Sequence, residues 1–252
     1  MPQAVRRQDI RPDDIRPDTR PDTAPEAATG RVLMAWSGGK DSTLALHELK
    51  AAGVEIAALL TTVTADYGRI SMHGVRVELL ERQAAALNLP LHQVFISKTS
   101  SNEEYEARMG EAMEEWRGRG VTTVAFGDIF LEDLRRYRER NLARAQMQAL
   151  FPLWGQESAQ LAGRFIALGY RAVLSCVDSK HLGSEFAGRE YDKVLLAQLP
   201  AAVDPCGENG EFHSFVYGGP LFREPVALER GDIVLRGERF YYCDLIPAAK
   251  ER

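Results

Sequence analysis

The sequence predicts an α/β fold, in which a doubly wound, mainly parallel sheet is followed by a smaller α+β part that ends in a β-ribbon. From residue 31, apolar segments typical of strands alternate with amphipathic segments of helical period, as in parallel sheets with helical crossovers. From residue 226, short runs of β-branched and aromatic residues indicate the ribbon. A glycine-rich turn after the first strand predicts a ligand site at the carboxyl edge of the sheet.

The composition excludes several classes of protein. The chain has 252 residues, of which 45% are hydrophobic, so it can bury a sizeable core. Its net charge of -5 argues against a nonspecific nucleic-acid binder. Cys176, Cys206 and Cys243 are too far apart for a C-x-x-C site and favour no disulfide framework. No apolar run approaches the length of about twenty residues that a membrane span needs, and we expect a cytoplasmic protein.

Residues 1–29 differ from the rest of the chain. The pentapeptide at residues 9–13 is repeated at residues 14–18, with proline at short intervals and few apolar side chains. Such a segment cannot bury enough surface to offset its ordering entropy, so we expect a disordered arm. Its many aspartates argue against a transit peptide. A docking arm is the functional alternative.

The turn after the first strand has the features of a phosphate-binding loop. It consists of Ser37, Gly38, Gly39, Lys40, Asp41 and Ser42. Two glycines permit a tight turn with close approach to a ligand, and the first amides of the following helix can donate to an anion. The common template G-x-x-x-x-G-K-[ST] does not fit, because Met34 and Asp41 stand where it requires glycine and Ser or Thr.

Asp41 indicates a magnesium-bound nucleotide, since a carboxylate beside a phosphate needs a compensating cation. The order Ser-Gly-Gly-x-Asp-Ser at the start of the first helix resembles the pyrophosphatase loop of the adenine nucleotide alpha hydrolase (ATP pyrophosphatase) superfamily. Members of this superfamily split ATP into AMP and pyrophosphate. The alternative is a glycine-rich turn that stabilises only its own helix.

The next elements complete the predicted parallel sheet. Strands are predicted over residues 54–63, 91–96 and 121–126, and helices over residues 43–52, 75–87 and 101–118. Ser101 and Glu104 form a capping box at the start of the third helix, whose acidic residues we assign to a solvated face. The loop over residues 64–74, which includes His73, is expected to overhang the phosphate loop, although its polarity alone could explain its composition.

Gly127 and Asp128 follow the fourth strand of the predicted sheet and should reach the same edge as the phosphate loop. Asp128 is suited to a ribose hydroxyl, an amine or a magnesium-bound water, with a helix N-cap as the alternative. A long helix is predicted over residues 129–150. Its arginines could bind a phosphate or a carboxylate, or form a solvated face with neighbouring acids: Arg135, Arg136, Arg138 and Arg140.

The second half is predicted to contain a short strand at residues 152–155, helices at residues 158–168 and 191–199, a strand at residues 172–177 and the ribbon at residues 226–245. Residues 204–214 form an unusual turn in which glycines alternate with Glu208 and Glu211. The two carboxylates could meet a cation or an amino group. An acidic hairpin turn is the alternative.

Four separated motifs resemble the diphthine–ammonia ligase (diphthamide synthase) family in order and spacing. They are residues 37–42, 127–129, 152–155 and 206–212, and they are followed by Pro220-Leu221-Phe222. The resemblance covers residues 31–225, and the motif at residues 206–212 is its most specific part. It implies an amide-forming ligase in which ATP adenylates a carboxylate, pyrophosphate leaves and ammonia displaces AMP.

The resemblance also implies the roles of individual residues. ATP would bind residues 37–42 together with Gly127 and Asp128, with Lys40 and Asp41 as catalytic residues and Mg2+ on Asp41 and Asp128. The acceptor carboxylate, on a small molecule or a protein, would lie near Glu208, Gly210, Glu211 and His213. An ATP-binding domain would span residues 30–150 and a substrate-side domain residues 151–252. No nucleic acid or membrane is expected as a partner, and a homodimer is left open.

Three departures from the family pattern concern the acceptor side. Asn209 replaces a glycine, His213-Ser214 replaces Glu-Thr, and Leu134-Arg135-Arg136 replaces a segment with tyrosine and glutamine. None of these positions lies in the phosphate loop, so the departures concern the acceptor and not the predicted ATP chemistry. The alternatives are another ATP pyrophosphatase activity, such as nucleoside or RNA thiolation, and a non-catalytic module that binds ATP.

Overall fold

The computed structural model describes residues 30–70 and 74–249. The predicted arm at residues 1–29 lies outside this range, as do Met72 and His73. The described residues form two sheets, the first from residues 32–150 and the second from residues 171–247. The predicted α/β class is confirmed.

The first sheet has six strands. They are β1 (Val32–Ala35), β2 (Ile56–Thr64), β3 (Arg69–Ile70), β4 (Leu91–Ile96), β5 (Thr123–Ala125) and β6 (Gln148–Leu150). The order is β3-β2-β1-β5-β6, with β4 also paired to β2. All pairs are parallel except β2 with β3. The carboxyl ends of β1 and β5 therefore lie side by side, as the predicted site requires.

The helices connect these strands and continue into the second half. They are α1 (Lys40–Ala51), α2 (Val77–Leu87), α3 (Asn102–Gly118), α4 (Glu132–Arg144), α5 (Ser158–Ala167) and α6 (Lys193–Gln198). The capping box of α3 is confirmed, because the Glu104 amide donates to Ser101 Oγ at 3.2 Å and the Ser101 amide donates to Glu104 Oε2 at 3.1 Å. None of the described helices is both long and apolar enough to cross a membrane.

The second sheet is antiparallel and smaller. Its strands are β7 (Arg171–Asp178), β8 (Phe212–Gly218), β9 (Leu228–Arg236) and β10 (Phe240–Pro247), in the order β8-β7-β10-β9. The predicted ribbon corresponds to β9 and β10. Strand β8 lies at one edge of this sheet and packs against α1 of the first half.

One core joins the two sheets. Its buried cluster includes Leu46 and Leu49 of α1 as well as Phe165 of α5 and Phe212 and Phe215 of β8. These residues are at most 2% exposed. A second cluster, under α3, covers the opposite face of the first sheet. Apolar burial is the main driving force for such packing, so the contact between the halves is part of the fold.

The helix predicted over residues 129–150 was wrong in its extent. α4 ends at Arg144, and the chain reverses with Gln146 at a φ of 57° before it forms β6. The Leu142 carbonyl oxygen accepts hydrogen bonds from the amides of Ala145 and Met147, which closes the helix. Residues 152–155, predicted as a strand, form a turn instead. Glycine usually occupies a left-handed position such as that of Gln146, so the sequence carried no obvious signal for the end of α4.

The segment predicted as a loop over residues 64–74 contains a short strand. β3 pairs with the end of β2, and the Arg69 guanidinium donates to the Gly74 carbonyl oxygen at 2.6 Å and to Asp244 of β10 at 2.9 Å. Asp244 also accepts hydrogen bonds from Arg76. These ion pairs attach the hairpin to the second sheet.

Candidate functional site

The phosphate loop lies between β1 and α1, as predicted. Gly38 adopts a φ of 77°, and a Cβ atom there would lie 2.9 Å from Gln83 Oε1, so both backbone and space require glycine. Gly39 is the N-cap of α1 and has no side chain that could cap the helix. The helix dipole and the first amides of α1 therefore favour an anion at this position.

Lys40, which is buried, and Asp41, which is partly exposed, form an ion pair in the loop. Lys40 Nζ lies 2.9 and 2.8 Å from the two Asp41 carboxylate oxygens and also donates to the Cys206 carbonyl oxygen. Lys40 is 3% exposed. Burial would lower the pKa of its ammonium group, but the neighbouring Asp41 raises this pKa above its ordinary value. Lys40 therefore carries a positive charge at neutral pH.

Strand β8 closes the phosphate loop from the second half of the chain. The Val216 amide donates to the Gly38 carbonyl oxygen at 2.9 Å, and the Lys40 amide donates to Ser214 Oγ at 3.1 Å. The residues joined by the second bond are 174 positions apart. The loop is thus held by the strand that contains His213, one of the residues predicted near the acceptor.

Gln83 of α2 connects three parts of the site. Its Nε2 donates to the carbonyl oxygens of Gly38, at 2.9 Å, and Val216, at 2.5 Å, while its Oε1 accepts from Trp36 Nε1 at 2.8 Å. Gln83 is fully buried. Gln83 was not among the predicted site residues, although a glutamine on the apolar face of Leu79 and Leu80 was a usable signal.

Gly127 brings the end of β5 against the start of α1. A Cβ atom at this position would lie 2.8 Å from the carbonyl carbon of Asp41 and the amide nitrogen of Ser42. The next residue, Asp128, is 8% exposed and forms an ion pair with Arg138, whose Nη2 lies 3.1 Å from Oδ1. Asp128 does not cap α4, because the N-cap is Leu131. Its carboxylate therefore belongs to the cavity described below.

The arginine cluster of α4 divides between two roles. Arg138 stacks on Phe126, with 4.3 Å between its guanidinium carbon and the ring centroid, and reaches Asp128. Arg136 pairs with Asp133 of its own helix at an exposed position, which agrees with a solvated face, whereas Arg135 pairs with Glu139 and also stacks on Phe151 and Trp154. Of these three arginines, only Arg138 lines the cavity described below.

Glu208 joins the turn of residues 204–214 to the end of β5. Its Oε1 accepts a hydrogen bond of 2.7 Å from the Ile129 amide. Burial raises the pKa of Glu208 to about 7, with the Ile129 amide opposing this shift and the charges of Asp41 and Asp128 adding to it. The carboxyl group therefore changes its protonation state near neutral pH.

Glu211 and His213 differ in their surroundings. Glu211 is 1% exposed, and its Oε1 accepts from the Asp204 amide and Asn209 Nδ2, each at 3.0 Å, so it contacts its own turn. Burial works to raise the pKa of Glu211, but these hydrogen bonds lower it overall. Burial, assisted by the charge of Lys40, lowers the pKa of His213 to about 4. His213 is therefore neutral at pH 7 and lines the cavity.

These residues surround one cavity of about 720 Å³. All the predicted site residues line it except Gly38 and Glu211. One wall of the cavity was not predicted: it is formed by α3, where Tyr105, Met109 and Met113 line the cavity. Their spacing of four residues was a signal for a shared helix face, but the acidic residues between them suggested only a solvated surface.

The described residues contain no cluster of three or more His, Cys, Asp or Glu that could hold a metal ion alone. Asp41 and Asp128, the predicted ligands of Mg2+, are each paired with a cation in this structure. Magnesium sites in nucleotide-binding proteins commonly use one or two carboxylates together with phosphate oxygens and water. The two aspartates fit that arrangement. The binding of Mg2+ stays a prediction.

Comparison with known proteins identifies relatives over most of the chain. Residues 30–148 match the family model of the diphthamide synthase N-terminal domain, and residues 157–245 match that of the diphthamide synthase C-terminal domain. The diphthine–ammonia ligase of Danio rerio is 29% identical over 231 residues, which cover 82% of this chain and 90% of the relative. The human protein of the same name is 26% identical, and the match covers 81% of this chain and 85% of the human protein.

Two further matches have limited reach. The diphthine–ammonia ligase of Schizosaccharomyces pombe is 26% identical over 81% of this chain, which spans only 37% of that relative. A solved structure from Methanocaldococcus jannaschii, described as a predicted subunit of tRNA methyltransferase, is 17% identical to this chain. The match covers 75% of this chain and 97% of that one. Its TM-score of 0.39 is too low to support a conclusion.

Proposed function

The chain belongs to the diphthamide synthase family, and on this premise we propose that it is an ATP-dependent amide ligase that releases AMP and pyrophosphate. The relatives' name, diphthine–ammonia ligase, supports diphthine as the acceptor and ammonia as the amine. The observation that carries the proposal is the contact of Lys40 with both Asp41 and the Cys206 carbonyl oxygen. It joins the phosphate loop directly to the acceptor segment.

The cavity supports binding of ATP together with an acceptor. Its volume of about 720 Å³ lies within the usual range of ligand sites, and its loop offers helix amides and a buried cation to an anion. Lys40 would stabilise the charge on the α-phosphate and on the leaving pyrophosphate. Magnesium would be held by Asp41 and Asp128 with the phosphates, and it would neutralise part of that charge.

The proposed reaction has two steps. An oxygen of the acceptor carboxylate bonds to the α-phosphorus, and the bond to pyrophosphate breaks. The nitrogen of ammonia then bonds to the acyl carbon, the bond from this carbon to the AMP oxygen breaks, and a proton leaves the nitrogen. Glu208 faces the cavity with a pKa of about 7, so its ionised form would accept this proton.

The other predicted residues receive narrower roles. His213, neutral and cavity-lining, would hydrogen-bond the acceptor, and Gly210 would let the acceptor approach the backbone. Glu211 would keep the turn in shape through Asp204 and Asn209. A cytoplasmic site of action is supported by the three free, buried cysteines. We also propose a homodimer.

Exchange of labelled pyrophosphate into ATP tests the first step. The wild-type protein should catalyse acceptor-dependent exchange, and Lys40→Ala or Asp41→Asn should reduce its rate by about a hundredfold or more, as loss of a charge-stabilising group does. Lys50→Ala, on an exposed position of the same helix, is the matched control. Release of ADP without pyrophosphate would contradict the proposal. Binding of ATP without turnover of diphthine or other carboxylates would instead favour a non-catalytic module.

A further inference from the structure

Strand β9 is an exposed edge of the second sheet. In the order β8-β7-β10-β9 it has β10 on one side and no strand of the described residues on the other. Edge strands present a row of backbone donors and acceptors that can pair with another strand. Ile233, Val234 and Leu235 are exposed by 46%, 41% and 48%. Proteins protect such edges with charged side chains, proline or a covering segment; β9 has neither lysine nor proline, but it carries four exposed charged residues, which limit the strands that can pair with it: Glu229, Arg230, Asp232 and Arg236.

The charges of β9 are suited to pairing with a second copy. When two identical strands pair in antiparallel orientation, a two-fold axis runs perpendicular to the sheet. It passes between the two copies of one residue, which therefore lie opposite each other. With Val234 on the axis, Asp232 lies opposite Arg236 twice and Ile233 lies opposite Leu235 twice. Within the described part of the chain, the structure gives neither Asp232 nor Arg236 an ion-pair partner, and both are exposed.

The neighbouring registers are less favourable. With the axis at Ile233, Arg230 of one copy lies opposite Arg236 of the other. With the axis at Asp232, the two copies of this carboxylate lie opposite each other. Like charges directly opposite one another destabilise a sheet. An axis at Gly231 would pair Arg230 with Asp232. However, Arg230 already forms an ion pair with Glu190, and the apolar Ile233 would then face Glu229.

We propose that two copies of the chain associate through β9 in antiparallel register with Val234 on the two-fold axis. The product is one continuous sheet of eight strands, four from each copy. Asp232, Val234 and Arg236 lie on one face and Ile233 and Leu235 on the other, so each face of the junction gains contacts. Opposite charges and apolar pairs in such positions stabilise antiparallel pairs.

This interface borders a second cavity of about 540 Å³. Asp232, Val234 and Arg236 line that cavity, and Ile70 and Tyr105 line both it and the larger one. The two ion pairs across the axis would therefore fix the side chains of one wall of the second cavity. The dimer would support a surface next to the site, without supplying any residue of the phosphate loop.

Charge reversal tests the interface and its register. Sedimentation of the full-length wild-type protein over a series of concentrations should show a monomer–dimer equilibrium. Asp232→Arg and Arg236→Asp should each weaken the dimer by about tenfold or more, because each places like charges opposite one another twice. The double variant Asp232→Arg/Arg236→Asp should restore wild-type affinity. A mixture of the two single variants should form a heterodimer, since the opposed charges then again differ in sign.

The matched controls are Asp133→Arg and Arg136→Asp, which reverse an exposed ion pair on α4 and should leave the dimer unchanged. Circular dichroism of each variant checks that the monomer is folded. A wild-type protein that stays monomeric at all concentrations would overturn the proposal. So would a double variant as weak as the single variants, because the register predicts recovery.

Discussion

Glu208 is the residue whose ionisation is expected to control the second step. Its pKa of about 7 arises mainly from burial, so the carboxylate form, which can accept a proton, becomes populated as the pH rises through neutrality. The rate per unit of unprotonated ammonia should therefore increase with pH through about 7 in the wild-type protein. In Glu208→Gln this increase should be absent, and the rate should fall by about a hundredfold.

Two further measurements separate this role from a structural one. Hydroxylamine, which is largely unprotonated at neutral pH, should give the same pH dependence with the wild-type protein and none with the variant. The variant should also lack the pH-dependent contribution of Glu208 to the free energy of unfolding. Because the folded pKa of Glu208 is raised, its contribution to stability is lost as the pH rises from about 4.5 to about 7, so the free energy of unfolding of the wild-type protein should fall relative to that of Glu208→Gln over this range. An unchanged pH–rate profile in Glu208→Gln would contradict the assignment.

At the scale of single elements, Gln83 of α2 is expected to matter for both stability and binding. Gln83→Leu leaves the indole of Trp36 and the Val216 carbonyl oxygen without their present partner inside the protein. Buried groups left unsatisfied in this way should lower the free energy of unfolding by about 3 kcal/mol. The KM for ATP should also rise, because the same side chain holds the Gly38 carbonyl oxygen.

Urea unfolding and initial-rate kinetics check both effects. Glu81→Leu, an exposed change on the same helix, is the matched control and should alter each by little. If Gln83→Leu behaved like this control, the contacts of Gln83 would not hold the loop.

The elements with clear local signals were predicted well. The capping box of α3 and the glycine-rich start of α1 both depend on short-range contacts that the sequence displays. The end of α4 and the strand β6 were missed because Gln146 takes a left-handed conformation that glycine usually marks. Secondary structure decided by neighbours in the chain was thus predictable, whereas a reversal without a glycine was not.

The sequence predicted which strand ends meet at the site, but not the contacts between residues that lie far apart in the chain. The order of β1 and β5 followed from the alternating pattern, so the meeting of residues 37–42 with Gly127 and Asp128 was predictable. The bond from Lys40 to Cys206 joins residues that are 166 positions apart, and nothing local encodes it. The resemblance to the family drew attention to residues 206–212, but only the structure showed how this segment contacts the loop.

At the scale of the whole molecule, the two sheets are expected to unfold together. Phe215 of β8 is fully buried in the same cluster as Leu46 and Leu49 of α1, so the stability of each half depends on the other. Phe215→Ala should lower the free energy of unfolding by about 4 kcal/mol, through lost burial and a residual cavity. The loss should affect both halves equally, because a single cooperative unit has one unfolding free energy.

Hydrogen exchange measured by mass spectrometry along a urea series can resolve the two halves. Peptides from β1 and α1 should lose their protection at the same urea concentration as peptides from β7, and Phe215→Ala should shift both midpoints by the same amount. Phe95→Ala, at a position of the first sheet that is 56% exposed, is the matched control and should shift neither by much. If only the peptides of the second sheet responded to Phe215→Ala, the halves would be independent units. In that case the hydrogen bonds between β8 and the phosphate loop could not preorganise the site, because the loop would keep its shape when β8 unfolds.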